Sequence, residues 1–316
     1  MTEFDLIRRY FTRPSSSAEV GVGDDAAVLK AGNGNVLAVS TDMLVSGTHF
    51  FPDTDPFSLG HKTLAVNLSD MAAMGALPRW ALLSLSLPEA DEAWLERFSA
   101  GFFALAAQHG VELVGGDTTR GPLNLCVTII GEVPQGQVLL RSGAREGDEI
   151  WVSGTLGDAA LALTHLQGRV QLGGEALDFC TTRLHKPEPR VALGLALRGI
   201  ASSAIDVSDG LLADLGHIVK ASRVGARIDI SSIPLSAVLQ LRAGGDEITR
   251  QCILSGGDDY ELCFTASTAH HGEIVRISSR LGLQLTCMGR IVAGEGCVDE
   301  NGNRLDTGTG GYDHFR

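Results

Sequence analysis

The chain has 316 residues, 44% of them hydrophobic and 20% charged, which allows a sizeable core and, as a prior, roughly two domains of about 150 residues each. Its formal net charge of −13 argues against nucleic acid or an anionic membrane as the main partner, because either needs a basic face. There is no apolar run of about 18 residues and no signal-type apolar segment near the N-terminus, so the expectation is a cytoplasmic protein.

In chain order, residues 36–41 are a short apolar run between Gly34 and Asp42 and predict a buried strand. Residues 59–66 predict a helix, and residues 80–87 a strand ended by Pro88. Residues 92–109 place Trp94, Leu95, Phe98, Phe102, Leu105 and Ala106 at helical spacing and stop at Gly110, where a glycine cap is expected. Residues 111–114 and 125–133 predict strands. Residues 134–148, rich in glycine, serine and charge, predict a hinge, dividing an N-terminal domain (1–137) from a C-terminal one (138–316). The second half predicts strands at 149–153, 204–207, 227–230, 261–264 and 285–292, and helices at 158–166, 190–198 and 211–222. This order predicts an α/β or α+β protein of two domains, with strand direction left open. The six cysteines include no C-x-x-C pair and suit small core residues in a reducing compartment.

Six times an aspartate stands beside small residues at the end of an apolar run: at Asp24 and Asp25, Asp42, Asp70, Asp117, Asp206 and Asp209, and Asp258 and Asp259. Each alone could be a helix cap or a turn. Together they imply a cleft whose carboxylates repel, since two charges about 4 Å apart cost roughly 4 kcal/mol at an effective dielectric near 20. Such a cleft needs cations, and an oxygen-only set suits Mg²⁺ or Ca²⁺. No EF-hand loop is present, so Mg²⁺ shared with substrate phosphates fits better. The stretch from Gly115 to Gly121 predicts a loop whose N–H groups approach phosphate while Asp117 takes a metal. Gly21-Val-Gly-Asp-Asp-Ala26 matches the dinucleotide fingerprint only superficially, because two aspartates would face the pyrophosphate. P-loop, protein-kinase, H-E-x-x-H and G-x-S-x-G motifs are absent, as is an obvious His or Cys nucleophile.

These stretches resemble the thiamine-monophosphate kinase family, of the superfamily that includes aminoimidazole ribonucleotide synthetase and selenophosphate synthetase. The resemblance is carried by Gly21–Ala26, by Ser40-Thr-Asp-Met-Leu-Val-Ser-Gly-Thr-His-Phe50, by the run from Lys62 to Ala76, by Gly115–Pro122, by Ala204-Ile-Asp-Val-Ser-Asp-Gly-Leu211, by Ser255-Gly-Gly-Asp-Asp-Tyr-Glu-Leu262 and by Gly311-Tyr-Asp-His-Phe315. It implies a two-domain synthetase-type fold, an N-terminal domain that forms a homodimer interface, and transfer of a phosphoryl group from ATP to thiamine phosphate. It further implies several Mg²⁺ ions held by Asp25, Ser40, Thr41, Asp42, Asp70, Asp117, Asp206 and Asp209. The nucleotide contacts would be Gly116, Asp117, Arg141 and Ser208, and the substrate contacts His49 and Asp258. Asp258 stands where the family has glutamate, and Thr309 where relatives carry tryptophan, so Thr309 or Tyr312 would meet the thiamine ring. The number of metal ions and any K⁺ requirement stay open.

Selenophosphate synthetase would carry a reactive Cys or selenocysteine near the N-terminus, whereas the first cysteine here is Cys126. The hydrogenase-maturation relative would end in cysteine, whereas this chain ends in Arg316. A regulator that binds nucleotide or metal without catalysis is the rival from another class. The acceptor phosphate is mostly a dianion at neutral pH, so direct in-line transfer would need no general base.

Overall fold

The computed structural model describes residues 18–20, 24–25, 27–30, 34–242 and 247–305. Thr309, Tyr312 and Gly21 to Gly23 lie outside the described residues.

Ala18–Val20 (β1), Ala27–Lys30 (β2), Asn35–Val45 (β3), Leu77–Leu87 (β4), Glu112–Arg120 (β5) and Asn124–Pro134 (β6) form a six-stranded sheet in the order β1-β2-β3-β6-β4-β5. Its neighbours are antiparallel except β4 and β5, which run parallel. Parallel pairing needs a crossover, and the helix between them supplies it. A seven-stranded sheet follows from Glu149–Ser153 (β7), Ala201–Asp206 (β8), Gly225–Ile228 (β9), Leu262–Ala266 (β10), Leu285–Val292 (β11), Gly296–Asp299 (β12) and Arg304–Leu305 (β13), ordered β13-β12-β9-β11-β7-β10-β8. Only β9 and β12 are parallel there. The helices are Pro56–Ala73 (α1), Glu92–His109 (α2), Asp158–Leu166 (α3), Gly174–His185 (α4), Val191–Ala196 (α5), Leu211–Ser222 (α6), Ala237–Gln240 (α7), Glu247–Ser255 (α8) and His271–Leu281 (α9). None is long and apolar enough to cross a membrane.

The helix α1 positions the site. Pro56 occupies its first turn and the Asp55 carboxylate accepts from Ser58 N at 3.0 Å, so it starts three residues before the sequence-predicted bound. It is buried on almost every side, which is what a central helix requires. Against α2 its backbone passes so close that a Cβ on Gly60 would lie 2.0 Å from Phe98 O, and one on Gly101 1.9 Å from Phe57 O. The alternation of β6 turns Leu125, Val127, Ile129 and Val133 into the N-terminal core. On its other side α1 meets α5 and β8 of the C-terminal half.

Two sequence expectations need correction. The helix predicted at 59–66 continues to Ala73, so Asn67, Ser69 and Asp70 are helical rather than at a strand end. Their polarity resembles a helix stop, but Asn67 and Asp70 find partners on β3 and Ser69 bonds across to Asp206 of the C-terminal half. The Gly115–Gly121 stretch is not a free loop: residues 115–120 extend along β4 as the edge strand β5. Gly116 has φ +150, and a Cβ there would lie 1.8 Å from Leu83 O, so the glycine serves strand pairing. The helices α4, α8 and α9 are not among the expectations, although α9 is strongly amphipathic and buries Ile274 and Ile277.

Candidate active site

Asp25, Asp70 and Asp206 offer carboxylate oxygens that all lie within 4.8 Å of one another. Three elements deliver them: the segment before β2, the C-terminal part of α1, and the end of β8. The strand β3 adds Ser40 and Asp42 from one face, since side chains two apart share a face. Ser40 Oγ lies 2.5 Å from Asp70 Oδ2 and 3.0 Å from Asp25 O. Asp42 N donates to Asn67 Oδ1 at 3.3 Å. Ser69 Oγ donates to Asp206 Oδ2 at 2.6 Å.

Burial is the largest cause that raises the carboxyl pKa at Asp42, Asp70 and Asp206. Next at Asp70 come the charges of Asp42, Asp206 and Asp25, and at Asp206 the charge of Asp25. Asp206 is pushed up to about 8, and Asp24 to about 6 by burial and then by Asp25. The Arg141 guanidinium answers part of this charge: it pairs with Asp25, with Nε 3.2 Å from Asp25 Oδ2 and 3.8 Å from Asp24 Oδ1. The donor set is all oxygen, buried and over-charged. It fits a hard divalent cation, which would displace the protons that burial otherwise retains.

Asp25, Ser40, Asp42, Asp70, Asp206 and Arg141 therefore converge, as their residue types suggested. Thr41 points to the other face, its Oγ1 2.8 Å from Thr128 Oγ1. Asp117 and Gly116 stand exposed on β5, outside the three-carboxylate set. Ser208 and Asp209 lie in the turn after β8, where Ser208 N, Asp209 N and Gly210 N all donate to Asp214 Oδ2 at 3.0, 3.0 and 3.1 Å. His49 Nδ1 accepts from Val45 N at 2.9 Å, so the neutral ring carries its proton on Nε2. Asp258 pairs with Lys62, Nζ to Oδ1 2.8 Å.

Reading the sequence missed Lys62, Ser69, Asp214 and Glu261. Glu261 is fully buried and bonded by Arg183 at 2.7 Å, Arg190 at 2.6 Å and Ser153 Oγ at 2.6 Å. Burial would raise its pKa, but Arg190 and Arg183 lower it on balance. A lysine flanked by Leu59, Leu64, Ala65 and Val66 was a signal for Lys62. Cys180, Cys252, Cys263 and Cys297 are buried.

Residues 23–133 match the N-terminal domain of AIR synthase related proteins, and residues 145–299 match their C-terminal domain. The paired sheets and the aspartate cluster between them thus belong to that class of two-domain protein. The chain is 50% identical to thiamine-monophosphate kinase of Escherichia coli strain K12, with 99% of this chain and 98% of that one covered. The crystal structure of thiamine-monophosphate kinase from Stenotrophomonas maltophilia K279a superposes with TM-score 0.82 at 50% identity, covering 95% of this chain and 96% of that one. AaThiL complexed with AMPPCP and TMP superposes with TM-score 0.85 at 32% identity, covering 99% and 97%. Within the AIR synthase related class, the chain belongs to the thiamine-monophosphate kinase family.

Proposed function

We infer that this protein phosphorylates thiamine phosphate with ATP, giving thiamine diphosphate and ADP. The observation that carries the reading is the convergence of Asp25, Asp70 and Asp206, from both halves of a chain that matches kinases of this name along its length. A relative at 32% identity binds AMPPCP and TMP together, as expected of a kinase that joins a nucleotide and its acceptor in one complex.

A divalent cation, which we take to be Mg²⁺ in several copies, would sit on Asp25, Asp42, Asp70 and Asp206. It would neutralise the phosphate charge that these carboxylates would otherwise repel. Ser40 Oγ lies within hydrogen-bond distance of the Asp70 carboxylate and of the Asp25 backbone carbonyl, so it fixes Asp70 against the segment that carries Asp25. Ser69 orients Asp206. Arg141 pairs with Asp25 and Asp24, and with a cation on those carboxylates its guanidinium fork would be available for phosphate oxygens. The turn at Ser208 and Asp209, its N–H groups held by Asp214, would present the Ser208 hydroxyl to the nucleotide, with Gly116 and Asp117 of β5 as further contacts. Asp209 would complete the ligand set, while Thr41, on the opposite face of β3, would serve a separate ion. His49 and Asp258 meet the acceptor, with Thr309 or Tyr312 against its ring. The acceptor phosphate attacks directly in line, with no catalytic side chain acting as base. Whether K⁺ is needed is part of the same assay.

Turnover of ATP and thiamine phosphate to ADP and thiamine diphosphate tests the activity, with other phosphate acceptors as controls. Chiral γ-thiophosphate should be transferred with inversion, and retention would exclude direct transfer. We place the domain boundary at residues 137 and 138 and the protein in the cytoplasm. We also infer a homodimer through the outer face of the six-stranded sheet. Met43 is 56% exposed there, on a strand whose inner face is already packed, and Val114 on the edge strand is 55% exposed. Sedimentation should find a dimer for the wild type and a monomer for Met43→Lys.

A further inference from the structure

Lys62 is the buried cation that the phosphoryl-transfer chemistry leaves unused. It lies on α1, eight residues before Asp70 in the chain, and only 3% of its side chain is exposed. An ammonium withdrawn from water is costly unless it is paired. Its partner belongs to the other half of the molecule: Lys62 Nζ meets Asp258 Oδ1 at 2.8 Å. Tyr260 Oη donates to the same oxygen at 3.2 Å. One oxygen of Asp258 is therefore held from two sides, while the residue keeps 27% of its side chain exposed.

The backbone under this carboxylate is equally constrained. Asp258 has φ +68 and Tyr260 φ +51, in the left-handed region that side chains rarely occupy. Two hydrogen bonds hold them there, Asp258 N to Ser208 O and Tyr260 N to Val207 O, each 2.8 Å. The next residue, Glu261, is fixed by Arg183 and Arg190. A segment strained in this way and braced on each side is built to present one group in one direction. The described groups around Lys62 and Asp258 agree: His185 senses the charge of both, together with Asp55 and Asp53, and Tyr260 senses Asp258, Asp42 and Asp206. Through the bonds of Asp258 N to Ser208 O and Tyr260 N to Val207 O, Asp258 lies beside the turn that follows Asp206.

We propose that Lys62 is a positioning residue that, with Tyr260, holds Asp258 Oδ1 and so turns Oδ2 toward the nitrogen-bearing ring end of the acceptor. The proposal rests on the assignment of Asp258 to the acceptor. Oδ2 can accept from a ring amine or face a ring cation, whereas the phosphate end of the acceptor belongs to the metal side. Lys62 reaches Asp258 from the helix that also carries Asp70, so one rigid element sets the spacing between the ring contact and the cluster.

Steady-state kinetics of the full-length enzyme test this with K62M, K62R, D258N and the K62M/D258N pair, each checked for folding by thermal denaturation. K62M should raise the KM for thiamine phosphate by about tenfold or more while the KM for ATP stays within about twofold. K62R should recover most of the loss, because it restores a cation of similar reach. The double variant should be no worse than D258N alone, since both act through one contact. K62Q keeps a donor and removes the charge, and it supplies the same comparison if K62M does not fold. Additive effects, equal loss for ATP, or a K62R no better than K62M would overturn the proposal. An unchanged acceptor KM in D258N would instead remove the assignment of Asp258 on which it stands, while wild-type turnover tests the activity separately.

Discussion

Ser69 Oγ donates to Asp206 Oδ2 at 2.6 Å, a buried bond that ties the helix α1 of one domain to the end of β8 in the other. The next residue, Asp70, brings its own carboxylate to within 4.8 Å of the Asp206 carboxylate. A single turn of helix therefore supplies one member of the cluster and the hydrogen bond that orients another. Partners of this kind fix the angle at which a ligand oxygen is offered.

Removing the hydroxyl should be felt in metal use before it is felt in folding. Ser69→Ala leaves a buried carboxylate short of one donor, a loss of about 1–3 kcal/mol. The Mg²⁺ concentration for half-maximal rate should rise about tenfold. Rate measurements across a Mg²⁺ series at saturating ATP decide the point, and an unchanged midpoint would make the bond purely structural.

Asp70→Asn separates charge from shape. The amide keeps the size of the side chain and its bond with Ser40, and it removes one member of a repelling set. Activity should fall by about 100-fold or more. Thermal stability in chelator should hold or rise, because burial and the charges of Asp42, Asp206 and Asp25 all disfavour the ionised form. Near-normal turnover at saturating Mg²⁺ would contradict the role of Asp70.

The raised carboxyls set a pH dependence with a definite sign. Asp206 is pushed up to about 8 in the folded, metal-free protein, whereas an unfolded aspartate titrates near 4. Between those values the folded state holds more protons than the unfolded one, so stability falls as pH rises from about 4 to about 8. Asp42 and Asp70 shift in the same direction. A divalent cation replaces these protons, so its stabilising effect should grow over the same interval. Calorimetry in chelator should show a melting temperature that declines toward about pH 8 and is restored by Mg²⁺. A metal-free melting temperature that climbs with pH would refute this account.

Asp214 holds the turn of Ser208 and Asp209 through three N–H groups on one oxygen. Asp214→Ala strands those donors in a buried position, where each unsatisfied group costs about 1–3 kcal/mol. The KM for ATP should rise by about tenfold, with partial recovery in Asp214→Asn, which retains an oxygen acceptor. Equal KM values for all three proteins would show that the turn stands without Asp214.

The amphipathic helix at 92–109 was legible down to its glycine cap, because its spacing, its Asp91 cap and Gly110 agree locally. The same holds for β11 and for α6, whose periodicities are set within one element. The end of α1 was not legible, since Asn67, Ser69 and Asp70 look like a helix stop until both halves of the molecule surround them. Nor was the extended state of residues 115–117, which depends on pairing with β4.

The order of residues by itself determined that the chain carries an acidic, oxygen-only set of side chains, and that this set calls for hard cations and a polyanionic substrate. Charge and residue type are local properties and survive without coordinates. Tertiary structure alone decided which aspartates meet. Asp25, Asp70 and Asp206 are separated by long stretches of chain and converge only because α1 packs against both sheets. The same packing sends Asp258 to Lys62 and leaves Asp117 on an open edge. Distances across a domain contact follow from how apolar surfaces fit together, and no short stretch of sequence encodes them.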